Sequence, residues 1–527
     1  MISTLLEIQA PVIEYRLLGP IFIPFIAACM GVLIEAFAPR HLRDEGQVIV
    51  SVVGLLASLF VLVRTWGGSW QTVAGVGSLS VDGPTQVFWA MLLVFSLLSV
   101  LLFAERRAYG GVTAFTPMAA AVPGSGLERD AIAARVEHTE VFPLLMFAVT
   151  GMMLFPAAND FLMLFVALEI FSLPLYLLCG LARRRRLLSQ EAALKYFLLG
   201  SLSSAIFLFG VALLYGYTGS FDFGAVVVAI SAPTQGSGLL VAGSLFVMVG
   251  LLFKLGAVPF HSWTPDVYMG APTPVTAFMA ICTKLAAVAA TVRVLFVALG
   301  GMRWDWQPLV AGIAVITMLV GAVLGIVQQD VKRMLAYSSI AHAGFLLTAV
   351  AGASMPETQL PVGQIGSVSG IAFYMLAYGF ATLGAFGIVT LVRHGAVEEN
   401  DIDAWAGLGR RHPWIAGAMS LFMLSFAGIP LTAGFIGKWA AFGAAWRGGY
   451  WWLVLVAVLM SLVTAFFYLR LIVVMYFREG TEDSGEAVAP GLATTIVIVV
   501  GAAMTLFLGI APGWALDLAA SSVQLLR

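Results

Sequence analysis

The sequence predicts an all-α polytopic membrane protein that crosses the bilayer about 14 times. Of its 527 residues, 61% are hydrophobic and only 10% are charged. A soluble domain carries about 25% charged residues, so a bilayer is the expected solvent for most of this chain. Apolar runs of about 20 residues, the length that spans a membrane as a helix, also recur along almost the whole sequence.

Polar and Gly/Pro-rich breaks divide the apolar runs into successive spans. The shortest separator is "PAAND" at 156–160, between the fourth and fifth runs. The predicted spans are 17–39, 47–66, 84–104, 140–157, 159–181, 191–216, 238–261, 273–298, 308–327, 330–351, 367–393, 413–441, 450–477 and 491–513.

The placement of basic residues agrees with this number of spans. Sixteen of the 27 lysines and arginines follow odd-numbered spans, five lie on the other side, and six fall within spans. Because cytoplasmic loops are enriched in basic residues, the first group of loops is expected to be cytoplasmic, with both termini on the outer face. Residues 1–16 lack the basic start of a cleavable signal peptide, so the first span is expected to direct insertion.

Two polar stretches interrupt the apolar pattern. Residues 105–139 form a long connection with Gly, Pro and mixed charge, and residues 478–490 form a short acidic one. Both are expected to be solvated surface loops or partner contacts.

Five of the charged residues inside the predicted spans stand out, because a charge at the bilayer centre costs about 2.5–3.5 kcal/mol on insertion scales. Snorkelling, in which a long side chain extends its charge to the headgroups, is the structural alternative. It stays open for Lys195 and is favoured for Arg293 and Arg470, which lie near span ends. The five residues are Glu169, Lys195, Lys254, Lys284 and Lys438.

This set of residues is suited to proton transfer. The proton affinity of a buried lysine depends on its distance from a carboxylate, and Glu169 is the available carboxylate. His342 lies mid-span in "AYSSIAHAGF", where either a relay or a core role is open, since histidine titrates near neutral pH. His261 and Asp330 are possible accessory residues. A capping role is favoured for His261, a helix N-terminal role for Asp330, and a loop-shaping role for Asp266.

Two spans contain helix breaks beside their lysines. The seventh breaks at Pro259, just after Lys254, and the twelfth breaks at Gly428 and Pro430, before Lys438. Unwound backbone at membrane depth occurs where it lines a cavity or is covered by protein. Because the breaks are five spans apart, they predict two inverted five-helix repeats, helices 4–8 and 9–13, as in many transporters. The expected organisation is 1–139, 140–300 (first repeat), 301–480 (second repeat) and 481–527.

Several other activities find no support in the sequence. Cys29, Cys179 and Cys282 lie in apolar segments without C-x-x-C spacing, which excludes a thiolate-ligated cluster or zinc site formed by this chain alone. No phosphate-binding G-x-x-x-x-G-K-[ST] motif and no nucleophile triad are present. The formal net charge of −1 gives no reason to expect a nucleic-acid partner.

Five segments between about residues 140 and 480 carry a family resemblance. They are "LFVALEIFSLPLYLLCGL", "EAALKYFLLGSLSSAIFLFGVALLYGYTG", "FKLGAVPFHSWTPDVYMGAPTPVTAFM", "DVKRMLAYSSIAHAGF" and "FAGIPLTAGFIGKW". These closely resemble the antiporter-like subunits of respiratory complex I, and most of all the subunits designated N of bacterial NADH-quinone oxidoreductases. The loop at 105–139 is longer than expected for the family. The family's largest member, subunit L, has a long C-terminal lateral helix, and the lack of one here favours subunit N or subunit M. Between those two, the lysine at position 438 favours subunit N.

The resemblance implies roles for the charged residues. In that family a glutamate in the fifth helix and lysines in the sixth, seventh, eighth and twelfth are proposed to form the proton pathway, and these match the five residues named above. The resemblance also implies no cofactor and no metal in this chain. NADH, FMN, iron–sulfur clusters and quinone are expected in partner subunits, which comprise the other membrane subunits and the peripheral redox arm.

Three functions are therefore considered. The expected one is a proton-translocating subunit of complex I in a bacterial plasma membrane, with Glu169, Lys195, Lys254, Lys284, His342 and Lys438 as the relay. The alternative is a subunit of an Mrp-type cation/proton antiporter, which shares the fold. A membrane scaffold without transport would tolerate methionine or leucine at the buried lysines.

Overall fold

The computed structural model describes residues 13–67, 70–119, 121–122, 125–134, 137–233, 236–353, 364–395, 397–481 and 484–526. The N-terminal residues 1–12 and the cations Arg135 and Arg527, used in the charge argument above, lie outside the described residues. The helices are α1 (Tyr15–Phe37), α2 (Arg40–Arg64), α3 (Gly83–Phe103), α4 (Gly126–Ala133), α5 (Val141–Ala157), α6 (Phe161–Cys179), α7 (Arg186–Thr218), α8 (Phe223–Ser231), α9 (Gly238–Leu255), α10 (Trp263–Gly270), α11 (Thr273–Phe278), α12 (Lys284–Arg293), α13 (Arg303–Ile326), α14 (Val331–Ala351), α15 (Ser367–Val389), α16 (Leu408–Arg411), α17 (Pro413–Ala427), α18 (Ala433–Arg447), α19 (Trp451–Phe477), α20 (Leu492–Ile510) and α21 (Gly513–Ser521).

Helices dominate the described part of the chain, as predicted. Twelve of its helical segments are long and apolar enough to cross a membrane. Two shorter apolar helices, Val141–Ala157 and Pro413–Ala427, coincide with the fourth predicted span and with the first half of the twelfth. The strands are short: β1 (Thr72–Ala74) pairs with β2 (Leu79–Val81), and β3 (Val392–His394) lies between β4 (Val397–Glu398) and β5 (Glu486–Ala487).

Aspartate side chains define where several helices begin. Asp82, Asp160, Asp222 and Asp330 precede α3, α6, α8 and α14, and each accepts a hydrogen bond from a backbone N–H in the first turn. The aspartate at a helix start satisfies one of the N–H groups that lack an intrahelical partner. The helix N-terminal role predicted for Asp330 is confirmed, with its Oδ1 2.8 Å from the N of Arg333.

The innermost helices carry the polar centre of the molecule. Every residue in the most apolar window of α14 is buried, and 94% are buried in α15 and in Thr273–Ala298, the segment containing α11 and α12. By contrast, the corresponding share is 33% in α2, α19 and α20. Polar side chains on the inner helices therefore face protein rather than lipid.

Both predicted helix breaks are present and share one geometry. The helix α9 ends at Leu255 and is followed by Gly256 with φ 74°, and α17 ends at Ala427 and is followed by Gly428 with φ 82°. After each glycine, the next N–H donates to a carbonyl five residues earlier, Ala257 to Leu252 and Ile429 to Leu424. This pattern closes a helix C-terminus and requires the left-handed backbone that glycine adopts without strain.

Pro259 and Pro430 lie in the non-helical segments that follow. Helices resume as α10 at Trp263 and as α18 at Ala433. The second break separates two helical pieces of the twelfth predicted span, whereas the first lies at the end of the seventh, 238–261, and α10 begins beyond that span.

The expectation that residues 105–139 form a solvated loop is wrong for much of this segment. Phe115 and Thr116 are fully buried, and Phe115 forms a β-bridge with Ala182. Arg183 and Arg186 are also buried and donate to backbone carbonyls of this segment, including those of Thr113 and Met118. The loop packs over one end of the helices because backbone acceptors within it satisfy arginines from the α6–α7 connection.

The acidic connection at 478–490 also packs in part. Ala487 is buried within β5, and Ser484 is buried beside it. Residues 482–483 of this connection lie outside the described part of the chain.

Candidate functional site

Lys254 occupies the end of α9, directly before the first break. Its side chain is buried, and its Nζ has no hydrogen-bond partner among the described residues. Four aromatic rings surround the nitrogen at 5.2–5.6 Å from their centroids, a distance at which a cation is attracted to the ring faces. Lys254 is therefore held among π faces, without a direct ion pair in the described structure.

Glu169 faces the same region from α6. It is half-buried, its Oε1 is buried without a hydrogen-bond partner within the described ranges, and no described cation lies within 4.0 Å. Lys254 lies against the same helix, since its Nζ is 5.4 Å from the ring centroids of Phe171 and Tyr176 of α6. Without an ion pair between them in the described structure, Glu169 and Lys254 are separated by a gap.

Lys195 belongs to a different cluster. Its Nζ lies 2.6 Å from a carboxylate oxygen of Glu191 and 2.8 Å from one of Asp266, and 42% of its side chain is exposed. Asp266 also pairs with Arg333 at 3.1 Å. The structure thus places Lys195 in an ion-pair network joining α7, α10 and α14. Asp266, expected to shape a loop, is the centre of that network and lies on α10.

Lys284 is buried at the start of α12. It follows a π-helical turn, Met279–Thr283, that separates α11 from α12. Its Nζ lies 2.5 Å from Oγ of Ser339 and also donates to the Ser339 carbonyl. The ring of Tyr378 lies 5.5 Å away. An extra residue in a helical turn re-aims the side chains beside it, and such turns occur often at functional sites.

A narrow cleft joins Lys254 to Lys284. It is lined by Lys254 at one end and by Lys284 and Ser339 at the other. Thr264 of α10 lines it between them, with a buried Oγ1 that has no partner among the described residues. The break after α9 brings Gly256 against this hydroxyl, since a Cβ at Gly256 would lie 3.1 Å from it.

His342 lies at the centre of a chain of hydroxyl groups. Its Nδ1 is 2.5 Å from the Tyr374 hydroxyl and its Nε2 is 3.3 Å from the Tyr468 hydroxyl. Tyr468 also hydrogen-bonds Ser338, which is adjacent to the serine that holds Lys284. The sequence left both a relay role and a core role open for His342. These contacts favour the relay role, because both ring nitrogens bond to groups that can donate or accept a proton.

Lys438 ends the series on α18. Its Nζ donates to the carbonyl oxygens of Phe426 and Ala427 at 2.7 and 2.9 Å, and to Oγ of Ser461 at 2.7 Å. Those carbonyls are the last ones of α17, where the helix dipole is negative. The lysine after the second break thus binds the end of the helix before it.

Known proteins support the resemblance drawn from the sequence. A family described as "NADH:quinone oxidoreductase/Mrp antiporter, TM" matches residues 158–464. The NADH-quinone oxidoreductase subunit N of Cutibacterium acnes is 53% identical over 100% of this chain and 98% of its own length. The subunit N of Rhodococcus opacus is 52% identical over 99% of this chain and 98% of its own.

The chain belongs to the NADH-quinone oxidoreductase subunit N family. Its match to the broader antiporter family covers all six residues of the predicted relay. Among solved structures, a chain of respiratory complex I from Thermus thermophilus with bound aureothin is 33% identical, with a TM-score of 0.75, covering 95% of this chain and 99% of that one. A chain of the Mrp complex from Dietzia sp. DQ12-45-1b shares the fold, with a TM-score of 0.77 at 20% identity and 97% coverage of both chains.

Two expectations about polar residues in this member of the subunit N family are corrected. Arg293 does not snorkel: it is buried and its Nη2 lies 2.7 Å from both carboxylate oxygens of Asp82, which is also buried. His261 does not cap α10, whose start carries no side-chain cap, and its Nδ1 is buried without a partner among the described residues. Arg470, for which snorkelling stays a prediction, donates to the carbonyls of Ile326, the last residue of α13, and of Gln328.

The sequence interpretation missed residues that join the charged groups. Tyr374, Tyr468 and Ser461 lie in long apolar helices and carry no charge that would single them out. Ser461 and Tyr468 are seven residues apart on α19 and therefore share one face, which points to Lys438 and His342. Hydroxyl groups at this spacing inside an apolar span were the available signal.

Proposed function

We propose that the chain is a proton-translocating membrane-arm subunit of NADH:quinone oxidoreductase. The relatives that match over their full length bear the name of subunit N of that enzyme. The observation that carries the proposal is the row of buried groups that can exchange protons, in which Lys284 bonds Ser339, and Tyr468 links Ser338 to His342. Charged groups inside a membrane protein mark ion pathways by default, because each is costly unless used.

The proposed path begins at Glu169 and Lys254 and ends at Lys438. Glu169 changes the charge environment of Lys254 from across the gap between them. The proton then passes along the Thr264-lined cleft to Lys284, and through the hydroxyls around His342 towards Lys438. Each transfer moves one proton from a donor to an acceptor, and each hydroxyl that accepts a proton releases its own.

The lateral order of these groups supports transfer within the plane of the membrane. The clefts beside the two breaks are separate: one joins Lys254 and Lys284, and the other is lined by His342, Tyr374 and Gly434. Broken helices supply exposed carbonyls and room for water, the two features that a pathway through apolar helices otherwise lacks.

We further propose 14 membrane crossings with two inverted repeats, at 140–300 and 301–480. The support is that α5 and the α17–α18 pair add to the 12 long candidate spans, and that both breaks share one backbone geometry. The distribution of basic residues supports cytoplasmic loops after odd-numbered spans and both termini on the outer face of a bacterial plasma membrane.

Redox chemistry is assigned to partner subunits. Within the described residues, no group of three or more His, Cys, Asp or Glu side chains is placed to hold a metal ion. This subunit is proposed to hold no NADH, flavin or iron–sulfur cluster, and to move protons in response to electron transfer from NADH to quinone elsewhere in the complex.

The alternative function is that of an Mrp-type cation/proton antiporter subunit. The Dietzia Mrp chain supports it through fold likeness alone, and the named relatives favour complex I. Sodium-dependent transport in membranes without NADH would favour the antiporter.

The test uses the assembled enzyme in proteoliposomes. We expect Lys254→Ala and Glu169→Ala each to lower the number of protons translocated per NADH oxidised, while the complex still assembles. Proton translocation equal to wild type in both variants contradicts the proposal. Tyr215→Phe, a change at a partly exposed residue of α7, is the matched control.

A further inference from the structure

The aromatic surroundings of Lys254 contain two hydroxyl groups that no described residue satisfies. Of the four rings around its nitrogen, two are phenylalanines and two are Tyr176 and Tyr196. Both tyrosines are buried, and both hydroxyl oxygens are buried without a hydrogen-bond partner among the described residues. A tyrosine hydroxyl usually finds a partner when it is buried, so this pair needs an explanation.

The rings are held in place by tight packing between helices. Tyr176 of α6 meets Tyr196 of α7 edge-on, with centroids 4.7 Å apart and an interplanar angle of 83°. Tyr196 in turn stacks on Trp263 of α10 at 4.7 Å and 16°. The rings are therefore fixed from three helices, and the hydroxyl positions are set by this packing.

Glu169 lies on the same face of α6 as Tyr176, seven residues earlier. Its Oε1 is buried without a hydrogen-bond partner among the described residues, as the Tyr176 hydroxyl is. The Tyr176 hydroxyl also packs directly against Gly200 of α7, where a Cβ would collide with it. Glycine at this position lets the hydroxyl reach the space between α6 and α7.

Four buried polar atoms thus face one region without bonding one another: Nζ of Lys254, Oε1 of Glu169 and the two tyrosine hydroxyls. A buried polar group without a partner costs about 1–3 kcal/mol, so four together are unfavourable unless something bridges them. Water is the ligand that fits this donor set, since a buried water forms about three hydrogen bonds to otherwise unsatisfied polar groups.

We propose that Tyr176 and Tyr196 form, with bound water, the proton bridge between Lys254 and Glu169. This inference rests on the proposed function and deepens it. The rings stabilise the ammonium form of Lys254 without an ion pair, so that the lysine can accept a proton from Glu169. The hydroxyls of Tyr176 and Tyr196, together with water, then connect the Lys254 nitrogen to the Glu169 carboxylate by hydrogen bonds.

The transfer balances in protons and involves no electrons. The O–H bond of the Glu169 carboxyl breaks as its proton joins a water or tyrosine oxygen, and that oxygen releases its original proton to the next acceptor. The last N–H bond forms on the neutral amine of Lys254. The carboxyl ends ionised, the lysine ends as an ammonium that can pass its proton on to Lys284, and each tyrosine and water ends as it began.

The test replaces each hydroxyl and keeps each ring. Tyr176→Phe and Tyr196→Phe, in the intact complex in proteoliposomes, are expected to slow NADH-driven proton translocation about tenfold, the rate equivalent of one lost hydrogen bond. The ratio of translocation rates in H2O and D2O is expected to rise, since proton transfer becomes the slow step. Tyr215→Phe, on the same helix as Tyr196, is expected to change neither rate nor ratio.

Two outcomes overturn the bridge. Translocation at the wild-type rate in both phenylalanine variants shows that the hydroxyls carry no proton. A slower rate with an unchanged isotope ratio shows that they act only in packing. Gly200→Ala gives an independent variant, because it displaces the Tyr176 hydroxyl without removing it and is expected to raise the isotope ratio as well.

Lys254→Ala separates this inference from the proposed function. If that variant slows translocation while both phenylalanine variants do not, the bridge is wrong and the proposed function stands. If Lys254→Ala and Glu169→Ala both translocate protons as wild type does, the bridge and the proposed function are both wrong.

Discussion

The ammonium group of Lys438 closes the end of a helix that it does not belong to. Its Nζ lies 2.7 Å from the carbonyl oxygen of Phe426, across the break that separates α18 from α17. Lys254, beside the other break, has ring faces around it instead of oxygens. The two broken helices therefore share a backbone geometry but hold their lysines in different ways.

Replacing Lys438 with methionine tests whether that contact serves transport. A scaffold would tolerate the change, since exchanging a buried charge for an apolar side chain is often neutral for stability. We expect Lys438→Met instead to lower the protons translocated per NADH, with a decrease of roughly a hundredfold in transfer through this subunit.

The matched control for Lys438→Met is Lys195→Met. Lys195 is partly exposed and paired, and exposed ion pairs contribute about 0–1 kcal/mol, so its loss should change stability little. We expect near wild-type translocation, because the path proposed from the structure, unlike the relay predicted from the sequence, leaves Lys195 out. A large loss of proton translocation in Lys195→Met, with no loss in Lys438→Met, would contradict the assignment of Lys438 to the proton path and of Lys195 to a surface ion pair.

Gly428→Ala is predicted to disturb Lys438 through the backbone. Gly428 has φ 82°, and a Cβ there would lie 2.9 Å from Cδ of Lys438. Alanine in this conformation costs about 1–2 kcal/mol, and the added methyl group displaces the lysine. Gly449→Ala carries the same backbone strain at φ 86°, with no atom within 4 Å of its Cβ. Translocation should fall in the first variant and stay unchanged in the second, and equal losses in both would show that strain alone is responsible.

Tyr468→Phe is predicted to interrupt the connection between Ser338 and His342. The change removes one hydroxyl and leaves the ring packed against Phe467. We expect proton translocation to slow about tenfold, as for the loss of one hydrogen bond. Tyr476→Phe on the same helix serves as control, and unchanged translocation in Tyr468→Phe would remove this residue from the path.

The buried pair of Arg293 and Asp82 is predicted to be a stability element. Removing one partner of a buried ion pair costs about 3–5 kcal/mol, because it leaves an uncompensated charge. Arg293→Met and Asp82→Asn should each lower the thermal stability of the purified complex, and the double variant should lose less than the two single losses together. Additive losses would show that the two side chains do not act as a pair.

Much of the candidate site could be predicted because charge in an apolar span is conspicuous. Glu169, Lys254, Lys284 and Lys438 lie around the two broken helices, as their cost in lipid suggested. The prediction for Arg293 was wrong because distance from a span end says nothing about a partner 211 positions earlier in the chain. The prediction that residues 105–139 form a solvated loop was wrong for a similar reason, because backbone carbonyls of this segment accept hydrogen bonds from arginines far along the sequence.

Sequence alone determined the membrane class, the positions of the long apolar helices, both breaks and the buried lysines, since each of these follows from local hydropathy and local backbone chemistry. Only the tertiary structure decided which groups meet. Lys195 pairs with Asp266, Lys284 with Ser339, and Lys438 with the end of α17. Helix packing sets those distances, and the side chains that form such contacts are separated by 12 to 71 positions in the chain.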